Sequence, residues 1–208
     1  MILHGYFRSA ASWRVRIALN YKGIAPQQRF HHLRRGEQHA ADYLMLSPQG
    51  LIPTLELDDG RTLIQSLAII EWMDETYPEP PLLHGDVAQR AEIRAFALVL
   101  AADTHPLQNL RVLNALRKLG LAEAAVTGWA AEANATGLAA CEALRARGPF
   151  CFGGAPSLAD LCLVPQMGNA RRFGVAVDRF PRLLAREAAC MAMPAFADAA
   201  PERQPDAE

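Results

Sequence analysis

The stretch SAASWRVRIALNYKG, residues 9–23, decides the fold. Its apolar residues follow helical spacing, and Gly23 is the residue type best suited to the left-handed turn behind a helix. The spacing predicts a helix from near Ser12 to Gly23, with small residues in front of it. A helix N-terminus carries unpaired N–H groups and a partial positive charge, so an end left open in this way can receive an anion. Ser9 and Ser12 each add a hydroxyl that can donate to that anion, although both residues also suit ordinary turn and cap positions.

Outward from this helix, ILHGYF predicts a first strand, QQRFHHL a second, IPTLEL a third and TLIQ a fourth. Asp58-Asp59-Gly60 joins the last two as a hairpin. Ser66 is expected to cap a helix, LAIIEWMDETY, that stops before Pro78. PEPPLLHGD, residues 78–86, is proline-rich without periodicity and reads as a linker. Beyond it the chain is Ala- and Leu-rich with helical spacing. Ser157-Leu158-Ala159-Asp160 forms a capping box there, a structural motif, and the polar end PERQPDAE is expected to fray. The domains predicted are residues 1–80, a mixed α/β unit, and 88–208, all helical, with 81–87 between them.

The 208 residues, 51% of them hydrophobic, are enough to bury a core. Lys and Arg number 21 against 22 Asp and Glu, a net charge of -1, so no basic field gathers nucleic acid or anionic lipid. No apolar run approaches bilayer length, and a cytoplasmic protein is expected. Cys141, Cys151, Cys162 and Cys190 lie far apart with no C-x-x-C, which suits buried reduced thiols rather than zinc or a disulfide framework. His31, His32 and His39 are read as surface or satisfied histidines, since neighbours on a strand point to opposite faces, and no metal is expected.

Five segments together resemble the zeta class of glutathione transferases, which includes maleylacetoacetate and maleylpyruvate isomerases. They are YFRSAASWRVRIALNYKGI at 6–24, LSPQGLIPTLELDDG at 46–60, IQSLAIIEWMDETYP at 64–78, HPLQNLRVL at 105–113 and SLADLCLVPQMGNARRFGV at 157–175, in the family's order. The resemblance implies the glutathione transferase fold: an α/β thioredoxin-like N-terminal domain plus an all-α C-terminal domain. It also implies a homodimer and glutathione as the source of the thiol that the helix end lacks. A free thiol of pKa about 8.5 is about 3% ionised at pH 7, and lowering the pKa by about two units makes the thiolate dominant.

The same resemblance implies residue roles. Ser9 stands where the family's thiol-activating serine stands, and either Ser9 or Ser12 can contact the sulfur. Ala10 and Ala11 replace a serine and a cysteine of the family's phrase, which leaves fewer groups to orient the thiolate. Gln65 and Ser66 are expected at the γ-glutamyl carboxylate, and Ile52-Pro53 resembles a cis-proline turn that pairs with the cysteinyl part. Gln38 and Gln49 are weaker candidates for the glycine end. His105, Asn109 and Arg111 are expected on one helix after Pro106, facing glutathione or substrate. Arg8 and Arg172 are expected to grip the carboxylates of a dicarboxylate or keto-acid substrate, for which a planar guanidinium fork is suited. Arg14 and Arg16 are set aside as surface or interdomain charges.

The chemistry implied is reversible thiolate addition to a cis double bond, rotation and expulsion. The segments SWRVRIAL and HPLQNLRVL favour maleylacetoacetate over maleylpyruvate. Turnover of small α-halo acids and a non-catalytic binding role are the alternatives.

Overall fold

The computed structural model describes residues 1–144 and 148–208 and divides into two compact units, Met1–Pro81 with Ala192–Glu208, and Leu82–Met191. The first contains β1 (Ile2–Gly5), α1 (Ala10–Tyr21), β2 (Gln27–Phe30), α2 (Ala41–Leu46), β3 (Thr54–Glu56), β4 (Thr62–Ile64) and α3 (Ser66–Thr76). The sheet order is β2-β1-β3-β4, with β1 parallel to β2 and antiparallel to β3. Central β1 is covered on both faces, Leu3 and His4 both being buried, whereas edge strand β2 is exposed throughout. Val15, Ile17 and Ala18 of α1 and Ile69, Ile70 and Met73 of α3 form the fully buried helical side of this unit. Each large apolar side chain removed from water contributes about 1.5–3 kcal/mol.

Helix α1 starts two residues before the expected position. Ser9 is extended and its Oγ accepts the Ser12 N–H at 3.2 Å, so Ser9 is the cap, and Ala10 and Ala11 are the first helical residues. Gly23, at φ 68°, closes the helix as expected. Ser66 is not the cap of α3: Gln65 takes that place and Ser66 is the first helical residue. The second strand stops at Phe30, and α2 answers no expectation from the sequence.

The second unit contains α4 (Val87–Leu98), a π-helical segment (Val99–Thr104), α5 (His105–Leu107), α6 (Leu110–Lys118), α7 (Glu123–Ala143), α8 (Leu158–Arg172) and α9 (Pro181–Met191). Among its described residues the regular structure is helical apart from an isolated bridge between Phe150 and Gly153. The expected capping box is present: Asp160 accepts from Ser157 N and Ser157 Oγ at 2.9 and 2.7 Å, and from Cys151 N at 2.8 Å. Three of the buried free cysteines lie in helices, and Cys151 lies in a turn. Burial pushes the Cys141 thiol up to about 12 and raises those of Cys151 and Cys190, so these thiols stay protonated.

Most of the expected linker belongs to the helical unit. Leu82 is fully buried and its carbonyl accepts the Leu158 N–H at 2.9 Å, while Asp86 caps α4 by accepting Gln89 N–H at 2.8 Å. At the other end, residues 192–208 leave the helical unit and pack on the first one through α10 (Pro194–Ala197) and a 3₁₀ turn at Pro201–Arg203. The end of the chain is not frayed. Gln204 Nε2 donates to Asp198 O and Ala200 O at 2.9 and 3.0 Å, and Asp206 accepts the Phe7 N–H at 2.9 Å. Among the described residues no helix is long and apolar enough to cross a membrane.

Candidate active site

Strand register places three of the expected segments side by side. His4 of β1 lies opposite Thr54 of β3, and Thr54 lies opposite Ile64 of β4. The loop leaving β1, the turn entering β3 and the residue leaving β4 therefore emerge at one end of the sheet. They carry Arg8 and Ser9, Ile52 and Pro53, and Gln65 and Ser66. Because α1 follows β1 and α3 follows β4, both helices begin at that end as well. Neither has an acidic residue in its first turn, so the positive ends of both are left to an outside anion.

Ser9 is half-buried and its Oγ accepts from Ser12 N, which leaves its own proton to donate elsewhere. Ser12 is fully buried, with Oγ 3.4 Å from where a Cβ on Gly5 would stand and without a hydrogen-bond partner among the described residues. Its hydroxyl faces the sheet, so of the two serines Ser9 is the one within reach of a ligand. Arg8 is half-buried, its guanidinium 5.2 Å from the Phe7 ring centroid.

The Ile52–Pro53 bond is cis. The Leu51 carbonyl before it accepts two hydroxyls, Tyr43 at 2.8 Å and Ser47 at 2.9 Å, and Ile52 packs with Tyr6, Phe7 and Tyr43. Gln65 holds φ 68°, a left-handed conformation that costs about 1–3 kcal/mol outside glycine and is concentrated at binding sites. Its side chain donates to Gln49 Oε1 at 2.8 Å, bringing those two candidates together. The segment with Gln38 also abuts this turn: a Cβ on Gly50 would stand 3.2 Å from Gln38 O and 2.6 Å from His39 Nδ1. Gln38 is buried, and its Oε1 has no hydrogen-bond partner among the described residues, an acceptor that an incoming N–H would satisfy.

In the helical unit the expected arrangement needs correction. His105, Asn109 and Arg111 do not share one helix, because α5 ends at Leu107 and Asn109 is the extended cap of α6, accepting the Arg111 N–H at 3.1 Å. Behind Pro106 the chain turns, with the Gln108 and Asn109 N–H groups donating to His105 O and Pro106 O at 3.3 Å. Arg172 lies exposed in the last turn of α8 with its guanidinium 4.8 Å from the Phe173 ring centroid, whereas adjacent Arg171 is bound to Glu187 by both guanidinium nitrogens.

Two residues were undervalued in the sequence. Arg16, set aside there as a surface or interdomain charge, is buried in the first unit with donors to the carbonyls of Tyr6, Phe7 and Ala199. The only local signal is a cation amid the apolar run Val15, Ile17, Ala18 and Leu19. Asp206, at the polar end of the chain, carries no such signal.

Two helix N-termini without an acid in the first turn, a hydroxyl with a proton to donate and a buried amide acceptor suit a tripeptide with a thiol and terminal carboxylates. Among the described residues no cluster of three His, Cys, Asp or Glu side chains could hold a metal ion.

Known proteins supply the comparison. Residues 3–81 match the sequence model of the glutathione S-transferase N-terminal domain. A probable maleylacetoacetate isomerase from Vibrio cholerae is 48% identical over 212 aligned residues, covering 100% of this chain and 98% of that one. A bacterial zeta-class maleylpyruvate isomerase in its holo form superposes with a TM-score of 0.97 at 42% identity, covering 100% of both chains. The maleylacetoacetate isomerase of Methylobacterium extorquens AM1, solved with malonate and glutathione bound, gives 0.96 at 40% identity, again over 100% of both. With the same fold and 40–48% identity to these relatives over its whole length, this chain belongs to the zeta class of glutathione transferases, the family of the maleylacetoacetate and maleylpyruvate isomerases.

Proposed function

We propose that this protein is a glutathione-dependent cis–trans isomerase acting on maleylacetoacetate, with maleylpyruvate as the second reading. The observation that carries the chemistry is the open N-terminus of α1: Ser9 caps it with a hydroxyl proton to spare, and no acid occupies its first turn. The second reading is kept because a maleylpyruvate isomerase is among the structures that match over the full chain.

Bound glutathione supplies a sulfur nucleophile whose reversible addition turns the conjugated double bond into one that can rotate. In this reading Ser9 donates to the sulfur and the first turn of α1 favours its anionic form. Gln65, Ser66 and the N-terminus of α3 take the γ-glutamyl carboxylate, the backbone at Ile52-Pro53 takes the cysteinyl segment, and Gln38 and Gln49 take the glycine end. Arg8 and Arg172 are assigned substrate carboxylates, with His105, Asn109 and Arg111 assigned ligand contacts on their chemistry. The chain thus fixes the reactants and stabilises charge as it moves toward the enolate oxygen. A homodimer and a cytoplasmic setting belong to the same proposal and rest on the family.

The test is an isomerase assay on both compounds, with and without glutathione, on wild type and Ser9→Ala. Faster turnover of maleylacetoacetate, dependent on glutathione and depressed in the variant, is expected. Faster turnover of maleylpyruvate selects the second reading, and no turnover of either compound ends the isomerase assignment.

A further inference from the structure

We propose that the C-terminal segment braces the loop carrying Ser9, with Arg16 and Asp206 as positioning residues for the thiolate. The proposal rests on the Ser9 assignment above. Arg16 lies in α1 about two turns beyond Ser9 and is buried, 5% exposed. Its Nε donates to Ala199 O at 3.0 Å, its Nη2 to Phe7 O at 3.0 Å and its Nη1 to Tyr6 O at 3.4 Å. One planar fork therefore ties two successive carbonyls of the loop to the returning C-terminal segment. Asp206 holds the same residue by its other backbone group, Oδ2 accepting the Phe7 N–H at 2.9 Å.

The path to the nucleophile is short. Ser9 N–H donates to Tyr6 O at 3.0 Å, the carbonyl that Arg16 Nη1 approaches. A displacement of residues 6 and 7 moves Ser9 with it, and a misplacement of about 1 Å at a reacting group can cost about a hundredfold in rate. The brace is itself anchored: His32 Nε2 meets Glu208 at 2.7 Å, and the His32 ring packs edge-on against Tyr6 at 5.1 Å. Burial lowers Arg16 to about 10 while Asp206 acts to raise it, so the guanidinium stays charged at neutral pH. An aliphatic side chain would fill this space without desolvating a charge, and it would take the Arg16 donors from the Phe7 and Ala199 carbonyls.

Arg8, Arg34, Glu208 and Asp206 are the charges facing this loop at Tyr6. A carboxylate here disfavours a thiolate through space, so loss of charge and loss of positioning have opposite signs. Removing only the charge lowers the thiol pKa, and releasing the loop raises it.

The experiment compares Asp206→Ala, Asp206→Asn, a chain ended at residue 205 and Ser9→Ala. It reads the thiol pKa of bound glutathione by thiolate absorbance, together with kcat and KM. Asp206→Ala and the shortened chain are expected to raise the thiol pKa by about one unit and to lower kcat about tenfold at neutral pH, with KM within about twofold. Asp206→Asn, whose amide oxygen still accepts from Phe7, is expected to recover most of both. The brace is overturned if Asp206→Ala and the shortened chain keep the wild-type thiol pKa and kcat, if their thiol pKa falls, or if Asp206→Asn is as impaired as Asp206→Ala. A wild-type thiol pKa in Ser9→Ala removes the Ser9 assignment and with it the purpose of the brace. A raised pKa in Ser9→Ala beside an unchanged Asp206→Ala overturns the brace alone.

Discussion

Ser9 and Ser12 stand one turn apart on α1, and a single hydrogen bond separates their fates. Ser9 accepts the Ser12 N–H and keeps its own proton for the outside, while the Ser12 hydroxyl is shut against Gly5 without a partner among the described residues. In the role proposed for it, Ser9→Ala is expected to lose a bond to a charged sulfur, about 1.5–3 kcal/mol or about 10- to 150-fold in kcat/KM, and about 1 kcal/mol of helix cap. Ser12→Ala removes a buried, unpaired hydroxyl and is expected to raise stability by up to about 1 kcal/mol while leaving the thiol pKa of bound glutathione unchanged. Thermal melts with a thiolate titration check both, and a raised thiol pKa in Ser12→Ala would return that residue to the catalytic list. At this scale the small residues before the helix were legible, since they leave its end open. Which serine faces outward was not, because that depends on Gly5 of the neighbouring strand and not on residues adjacent in sequence. Gln65 was legible through its segment, but its left-handed backbone was not, since nothing in the residue type demands it.

Elements of the helical unit depend on close approaches that periodicity does not report. Between α4 and α5 the ladder slips into π-helical Val99–Thr104, closed by Thr104 Oγ1 donating to Val99 O at 2.8 Å. Opposite it, α7 carries Gly137, where an added Cβ would stand 1.9 Å from that Oγ1. Thr104 is β-branched and already bonded, so it has little freedom to yield. Gly137→Ala is expected to cost about 1–3 kcal/mol in denaturant unfolding, and Thr104→Ala in the same chain to restore most of it. An alanine tolerated at 137 without loss would show that the two elements are not packed this tightly. The sequence marked a break at Pro106 but not the slip before it, and so joined His105 to Asn109 on a helix that the chain does not make. The capping box of α8 and the Gly23 stop of α1 were legible because their causes lie within a few residues of one another.

Across the whole molecule the order of the four strands with α1 and α3 was legible, and α2 and the destination of the C-terminal segment were not. PERQPDAE is polar enough to read as solvated, yet within it Asp206 accepts the backbone N–H of Phe7, more than a hundred residues away, a long-range pairing without a local pattern. A second long-range set concerns pH. His4 Nδ1 meets His31 Nε2 at 2.8 Å, His4 Nε2 meets Glu56 at 2.6 Å, and both rings lie against Tyr43. One proton serves the bond between the two imidazoles. Burial first, then the charge of His4, holds His31 below the ordinary histidine range, with Asp42 and Glu37 opposing and Arg29 assisting. In the unfolded chain His31 titrates near about 6.5, so between that value and its lower folded value the unfolded state binds more protons. Stability is then full above about pH 6.5 and is lost as pH falls through the window. Melting temperatures are expected to drop from about pH 7 to about pH 5, and His31→Gln, which can still bond His4 but cannot titrate, is expected to flatten part of that slope. An unchanged slope in the variant would place the acid sensitivity in other groups and leave the imidazole pair as packing alone.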